Sequence, residues 1–191
     1  MRRMDNKNNI LACALDLFAS RGYEAVGVQE IVEAAGITKP TLYHYFGSKQ
    51  GLLKALLEQY FSELTEVVRK ACDYHGDLPL TLRHLAREWF HFAEQNPVFY
   101  RLALALLFTP PHSETYTVAS TLHQQQFDLV EAMFNQAVTQ HGNMRGRQSL
   151  YAATFVGQIN TCIYLWLSGH LEISEPIIER TVHQFEHGIY S

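Results

Sequence analysis

A polar face that begins at residue 39 carries the side chains best suited to specific recognition. The outer side of one short helix offers Lys39, Thr41, Tyr43 and His44. These short or planar hydrogen-bonding groups suit the base edges and phosphates of DNA. Lys49 follows at the start of the next helix, where amide N–H groups and a cation can share one phosphate. The pattern fits DNA contact and fits equally a helical hairpin with a solvated face.

Two short helices and a tight turn position this face. An apolar stripe at i, i+3, i+4 and i+7 predicts the first helix, namely Val28, Ile31, Val32 and Ala35. Gly36 ends that helix, Thr38 can cap the second, and Pro40 is tolerated in the first turn. Two helices joined by a short turn with glycine have the geometry of a helix-turn-helix, whose second helix enters the major groove.

Helical periodicity continues along the rest of the chain, without the alternating pattern of strands. The caps and stops predict an all-α fold of about nine helices. We interpret residues 1–50 as a helix-turn-helix DNA-binding domain and residues 51–191 as a ligand-binding and dimerisation domain. The fourth helix, expected to end near Cys72, would be about 35 Å long and would connect the two domains.

The charge distribution has the sign expected of a DNA-binding head on an acidic body. The formal net charge of −4 argues against a nucleic-acid binder, because phosphate contacts need Lys and Arg. Residues 1–60, however, carry a net charge of +1, and residues 61–191 carry −5. The asymmetry suits DNA contact by the first part, although ordinary scatter of charges would also produce it.

Composition indicates a globular protein of the cytoplasm. The 47% hydrophobic content excludes a disordered chain, and 11 glycines with 6 prolines exclude a fibrous one. No apolar run approaches the length of a membrane span, and the first residues lack the apolar block of a secretory signal. The three cysteines match no disulfide or zinc spacing. We therefore expect a soluble cytoplasmic protein with no membrane partner.

Residues 10–60 resemble the N-terminal DNA-binding domain of the TetR family of transcriptional regulators. The segments that carry the resemblance are LFASRGYEA, TKPTLYHYF and SKQGLL. The resemblance implies a three-helix DNA-binding head, a variable helical ligand-binding body, and a homodimer that reads a palindromic operator on double-stranded DNA. Many members are repressors that release DNA when a small-molecule inducer binds, and we expect the same here.

Carried over by position, the resemblance implies a set of DNA-binding residues: Gln29, Thr38, Lys39, Pro40, Thr41, Tyr43, His44 and Lys49. Two positions depart from the family pattern. Val26 and Gly27 stand where the family often has a threonine that caps the helix and holds a phosphate, so that contact must come from a backbone N–H or be absent. Gly51 replaces an acidic residue often found after Ser-Lys, which weakens the capping box.

The segment 147–168 is apolar almost all round, which predicts a helix buried on every side. One chain of this size can cover one face, so a partner chain must cover another. With the last helix, this segment predicts a four-helix homodimer interface. The candidate interface residues are Thr154, Gln158, Thr161, Cys162, Leu165, Val182, Phe185 and Ile189. Alternatively, both helices simply form the core of one chain.

Aromatic residues crowd the rest of the body and predict a pocket for an uncharged, mainly apolar or aromatic ligand. The candidate ligand-binding residues are Trp89, Tyr100, Arg101, His123, Phe127, Phe155, Asn160 and Tyr164, with Gln126 and Thr161 as further polar candidates. The commoner role of each such residue is that of an ordinary core or surface residue. Arg101 could anchor a carboxylate or extend to solvent.

Other classes of function find weaker support. Glu88 and His91 have the spacing of a di-iron ligand pair, but no second Glu-x-x-His occurs. His183 and His187 could bind zinc, yet chance pairs are common among ten histidines. No phosphate loop or nucleophile motif is present, so we expect no enzyme, no cofactor and no metal site. The alternative function is a ligand- or metal-sensing helical interaction module that does not bind DNA.

Overall fold

The computed structural model describes residues 2–188, with all side chains in that range except those of residues 2–5 and 143. Within this range the chain forms nine α-helices, one short 3-10 turn at Gly142–Met144 and no strand. The helices are α1 (Arg2–Arg21), α2 (Val28–Ala34), α3 (Lys39–Phe46), α4 (Lys49–Ala71), α5 (Leu78–Gln95), α6 (Pro97–Leu107), α7 (Glu114–Ala137), α8 (Gln148–Leu167) and α9 (Glu175–His187). The predicted all-α fold is confirmed. Ile189, a candidate interface residue, lies outside the described residues.

The first compact unit comprises the residues up to Ser62 together with Val98–Leu122. In it α2 packs against both α1 and α3. Gly36 and Gly47 end α2 and α3 with φ of 63° and 73°, a left-handed conformation that glycine adopts without strain. These two stops set the lengths of the helices that carry the polar face.

The second compact unit comprises Glu63–Pro97 and the residues from His123 onward. Its α5 packs against α8 and α9. The core includes the fully or almost fully buried side chains of Trp89, Phe134 and Phe155. Such large aromatic side chains each bury a large apolar area and so contribute strongly to a helical core.

None of the helices in the described part of the chain has the length and apolarity that crossing a membrane requires. The two units are defined by how their helices pack and carry no information on what each one binds. The functional boundary predicted between residues 50 and 51 therefore stays a prediction.

Candidate nucleic-acid interface

A helix-turn-helix forms where the sequence predicts it. The Ile37 N–H donates to the Val32 carbonyl at 2.9 Å and closes the turn between α2 and α3. Ile31, Val32 and Leu42 are buried, so the two helices share one apolar interior. The opposite side of α3 is left at the surface, where a DNA groove can reach it.

The predicted DNA-binding residues lie on this surface. Six of them are exposed, namely Gln29, Thr38, Lys39, Pro40, Tyr43 and His44, while Thr41 and Lys49 are half-buried. Tyr43 is informative because it leaves 46% of its surface exposed although it is a large aromatic residue. An exposed aromatic beside a lysine and a histidine offers stacking, charge and hydrogen bonding within one helix face.

The start of α3 is organised by two threonines. Thr38 is the N-cap, and its hydroxyl bonds the hydroxyl of Thr41 at 2.9 Å instead of a backbone N–H. Free N–H groups at the start of a helix favour an anion such as a phosphate. The two hydroxyls and the first turn of α3 therefore form one polar edge beside the exposed Lys39.

The start of α2 is closed by Glu30. The Gly27 N–H donates to Glu30 Oε1 at 3.0 Å, and Arg21 pairs with the other carboxylate oxygen. The Gly27 N–H bond and the Arg21 guanidinium together lower the pKa of the Glu30 carboxyl. Gly27 therefore offers DNA neither a side chain nor a free N–H, because its own N–H is bonded within the protein.

Lys49 belongs to a chain of contacts within the first unit. Its Nζ lies 4.0 Å from the centre of the Tyr23 ring. The Tyr23 hydroxyl donates to Glu114 Oε2 at 2.7 Å. Burial, followed by the Glu114 carboxylate, raises the pKa of Tyr23, so the phenol keeps its proton and its role as donor. Tyr23 and Glu114 are not among the predicted residues, because no periodic signal connects residues 91 positions apart.

A side chain at residue 51 would meet a steric obstacle that the family pattern does not suggest. Ser48 caps α4 by accepting the Gly51 N–H at 2.9 Å. A Cβ on residue 51 would overlap the carbonyl oxygen of Phe46. This backbone leaves no room for a side chain at residue 51, so an acidic residue there would require the backbone to shift.

The candidate ligand-binding residues are divided between the two units and differ in exposure. Trp89, Phe155 and Tyr100 are buried, and His123, Phe127 and Asn160 are half-buried. Arg101 and Tyr164 are exposed. Tyr100 and Arg101 belong to the first unit, whereas the other six belong to the second. The further candidate Gln126 is buried and donates to Thr65 Oγ1 at 3.1 Å. These residues stay predictions as ligand contacts.

The candidate interface residues of α8 fall on its outer side or its edges. Thr154 and Thr161 are exposed, and Tyr164, predicted from the sequence as a ligand contact, shares their face. Gln158, Cys162, Leu165 and Phe185 are half-buried. Val182 has no exposed surface, because it packs in the core of its own chain. The interface itself stays a prediction.

Comparison with known proteins identifies relatives of both the helix-turn-helix and the whole chain. Residues 10–56 match the family model described as bacterial regulatory proteins, tetR family. The transcriptional activator FasR of Mycolicibacterium smegmatis is 29% identical over 187 residues, which cover 97% of this chain and 83% of FasR. The matched residues include the turn and the whole polar face of α3.

Two solved structures share the complete fold. The TetR-family regulator PfmR from Thermus thermophilus has a TM-score of 0.77 at 23% identity, covering 95% of this chain and 96% of PfmR. The regulator FadR from Bacillus subtilis, in complex with stearoyl-CoA, has a TM-score of 0.78 at 16% identity, covering 96% of this chain and 99% of FadR. All three relatives are transcriptional regulators. Residues 10–56 therefore form a DNA-binding domain of the tetR family, and the chain as a whole is similar to DNA-binding transcriptional regulators of that family.

Proposed function

We propose that this protein binds a palindromic operator as a homodimer and leaves it when a small, mainly apolar molecule binds the body. The observation that carries the proposal is the outer face of α3, where the exposed Tyr43 lies between other polar groups. A large aromatic side chain that stays at the surface forgoes the favourable free energy of burying its apolar area, so an exposed tyrosine indicates a role at the surface. Its position favours contact with a groove.

The DNA contacts divide into two kinds. Lys49 and the edge formed by Thr38 and Thr41 are suited to phosphates, which set the register of α3 on the duplex. Tyr43 and His44 are suited to base edges in the major groove, which carry the sequence information. Lys39 and Pro40 begin the same helix, and Gln29 would approach from α2, where its amide now donates to Glu33 Oε1 at 2.6 Å.

The dimer proposal is supported by the surface of α8. Leu150 and Tyr164 leave 65% and 59% of their surfaces exposed. Spacings of i, i+4, i+11 and i+14 place both on one helix face with Thr154 and Thr161. Two large apolar side chains on a stripe of small residues are typical of a surface that another helix covers. A second copy of α8 would cover it in a symmetric dimer.

The ligand proposal draws on the relatives. FadR of B. subtilis was solved with stearoyl-CoA bound, and the acyl chain of that molecule is apolar, which supports a ligand with a large apolar part for a chain of the same fold. Release from DNA is then a shift of population between a form that fits the operator and one that does not. Repression is the proposed sign of regulation, although the relative FasR is an activator.

Selection of bound duplexes from a random DNA pool, at two salt concentrations, tests the DNA-binding part. We expect enrichment of a palindromic site whose affinity falls steeply with salt. Tyr43→Ala with Lys49→Ala should abolish enrichment, whereas Tyr74→Ala, on the surface of the second unit, should not. A folded protein that enriches no site at low salt would overturn the proposal and favour a module that does not bind DNA. A reporter placed behind the selected site then measures the sign of regulation.

A further inference from the structure

A cavity of about 260 Å³ lies within the second unit. The start of α5, the end of α7, the 3-10 turn, the start of α8 and the end of α9 surround it. Its walls are mostly apolar and include Leu82, Phe134, Tyr151 and Phe185. The ring centres of Phe134 and Tyr151 lie 5.8 Å apart, and those of Phe134 and Phe185 6.0 Å apart. Three aromatic rings thus meet at one wall of the cavity.

Two polar atoms of the lining have no hydrogen-bond partner among the described residues. They are His141 Nε2 and Glu186 Oε1, and both are buried. The second oxygen of Glu186 lies 4.0 Å from an Arg83 nitrogen and 3.9 Å from His187 Nε2, so only one side of this carboxylate is engaged. Buried polar atoms are almost always hydrogen-bonded, because an unmade bond costs the whole desolvation of the group. The pair therefore indicates an occupant that hydrogen-bonds to Glu186.

The size of the cavity limits this occupant. One water fills only about 30 Å³, and a cavity of about 150 Å³ with apolar walls can hold benzene. Pockets for drug-sized ligands begin at about 300 Å³. At about 260 Å³ this cavity, which is partly open to solvent, has room for one ring but does not enclose the whole of a drug-sized ligand. A single substituted ring fits these limits.

We propose that the cavity binds a single-ring apolar molecule that carries one hydrogen-bond donor group, either a hydroxyl or an ammonium. The donor bonds to Glu186 Oε1, the ring packs against Phe134, Tyr151 and Phe185, and His141 belongs to the same lining. The inference deepens the proposed function by naming the ligand class, and it rests on that function for its regulatory meaning. None of the eight ligand-binding residues predicted from the sequence lines this cavity.

Direct binding to the full-length protein without DNA tests the inference. Calorimetry would compare 4-methylphenol and benzylamine with toluene, which has no donor, and benzoate, which only accepts. We expect at least one donor probe to bind about tenfold or more tightly than toluene and benzoate, since hydrogen bonds to charged groups are strong. Whether the hydroxyl or the ammonium probe binds better identifies the donor.

Variants assign the binding to this cavity. Glu186→Leu should weaken binding of the preferred probe about tenfold and leave toluene unchanged or tighter. Glu179→Leu is the matched control, because Glu179 also pairs with Arg83, at 2.9 Å, but does not line the cavity. Leu82→Phe, which enlarges a side chain of the lining and narrows the cavity, should weaken binding of every probe while helical circular dichroism is retained.

Three results would overturn the inference: no probe binds the folded protein, the donor probes bind no better than toluene, or both glutamate variants weaken binding equally. The first would mean that water alone fills the cavity. The comparison of the four probes uses the unaltered protein, so a variant that fails to fold does not remove the test. Because no DNA is present, failure to find an operator and failure to bind the probe are separate outcomes.

Discussion

Replacing Lys49 by alanine should weaken DNA binding mainly by removing a phosphate contact. Each neutralised phosphate contributes about 0.9 to the slope of log affinity against log salt. Two protomers on a palindromic site would lose two contacts, so the slope should become shallower by about 1.8. Over a fourfold change in salt this amounts to about a twelvefold change in the ratio of wild-type to variant affinity.

The same substitution should leave the fold almost unchanged. The Lys49 Nζ lies 4.0 Å from the Tyr23 ring centre, and such cation–π contacts contribute about 0.5–1 kcal/mol at exposed sites. Lys49 is half-buried, so the loss should fall within or slightly above that range. A thermal unfolding curve separates this small loss from the DNA effect.

Lys54→Ala is the matched control for charge. Lys54 lies on the same helix, is 63% exposed, and its Nζ is 3.8 Å from Glu58. Both variants remove one positive charge from the first unit, but only Lys49 is a proposed phosphate contact. Fluorescence anisotropy on the selected operator between about 50 and 200 mM salt measures both slopes. An unchanged slope for Lys49→Ala, or an equal loss in Lys54→Ala, would refute the reasoning.

Three further predictions concern stability and reactivity. Gly51→Ala should lower the free energy of unfolding by about 1–3 kcal/mol, because the new Cβ overlaps a backbone carbonyl of α3, whereas Gly142→Ala, in open space, should change it little in the same urea titration. Tyr23→Phe removes the 2.7 Å bond to Glu114 and should cost about 1–2 kcal/mol at neutral pH. The folded protein raises the pKa of Tyr23 above 10.0, so this stabilisation is present below pH 10 and declines as pH rises further. The free energy of unfolding, measured at neutral and alkaline pH, should therefore depend less on pH in the variant than in the wild type. Burial raises the pKa of Cys72 to about 12, so iodoacetamide at neutral pH should label Cys72 only as fast as the protein unfolds, and rapid labelling of the native protein would contradict this.

The helix-turn-helix could be predicted because its signals are local. The apolar spacing of Ile31 and Val32, the stop at Gly36 and the cap at Thr38 all lie within about two helical turns of one another. Local geometry alone decides whether Tyr43 points inward or outward once Leu42 is buried. A short segment of sequence therefore contains nearly all the information that positions the polar face.

The candidate cavity could not be predicted in the same way. His141 and Glu186 come from segments that no periodicity relates, and only the packing of the second unit brings them to one cavity. The ligand-binding residues predicted from the sequence are instead mostly aromatic, such as Trp89. Aromatic residues at helical spacing mark any helical core, so they do not distinguish a wall of a cavity from filled interior.

Salt provides a way to examine the DNA interface separately from the body. The ion pairs of Arg83 and Arg87 with Glu175 and Glu179 lie at the surface of the second unit, with side chains 36–54% exposed. Exposed pairs of this kind contribute at most about 1 kcal/mol each, and salt screens them. The second unit is held instead by buried side chains such as Val182, whose burial salt does not weaken. A steep salt dependence of DNA binding would therefore report phosphate contacts of the first unit and not loosening of the second.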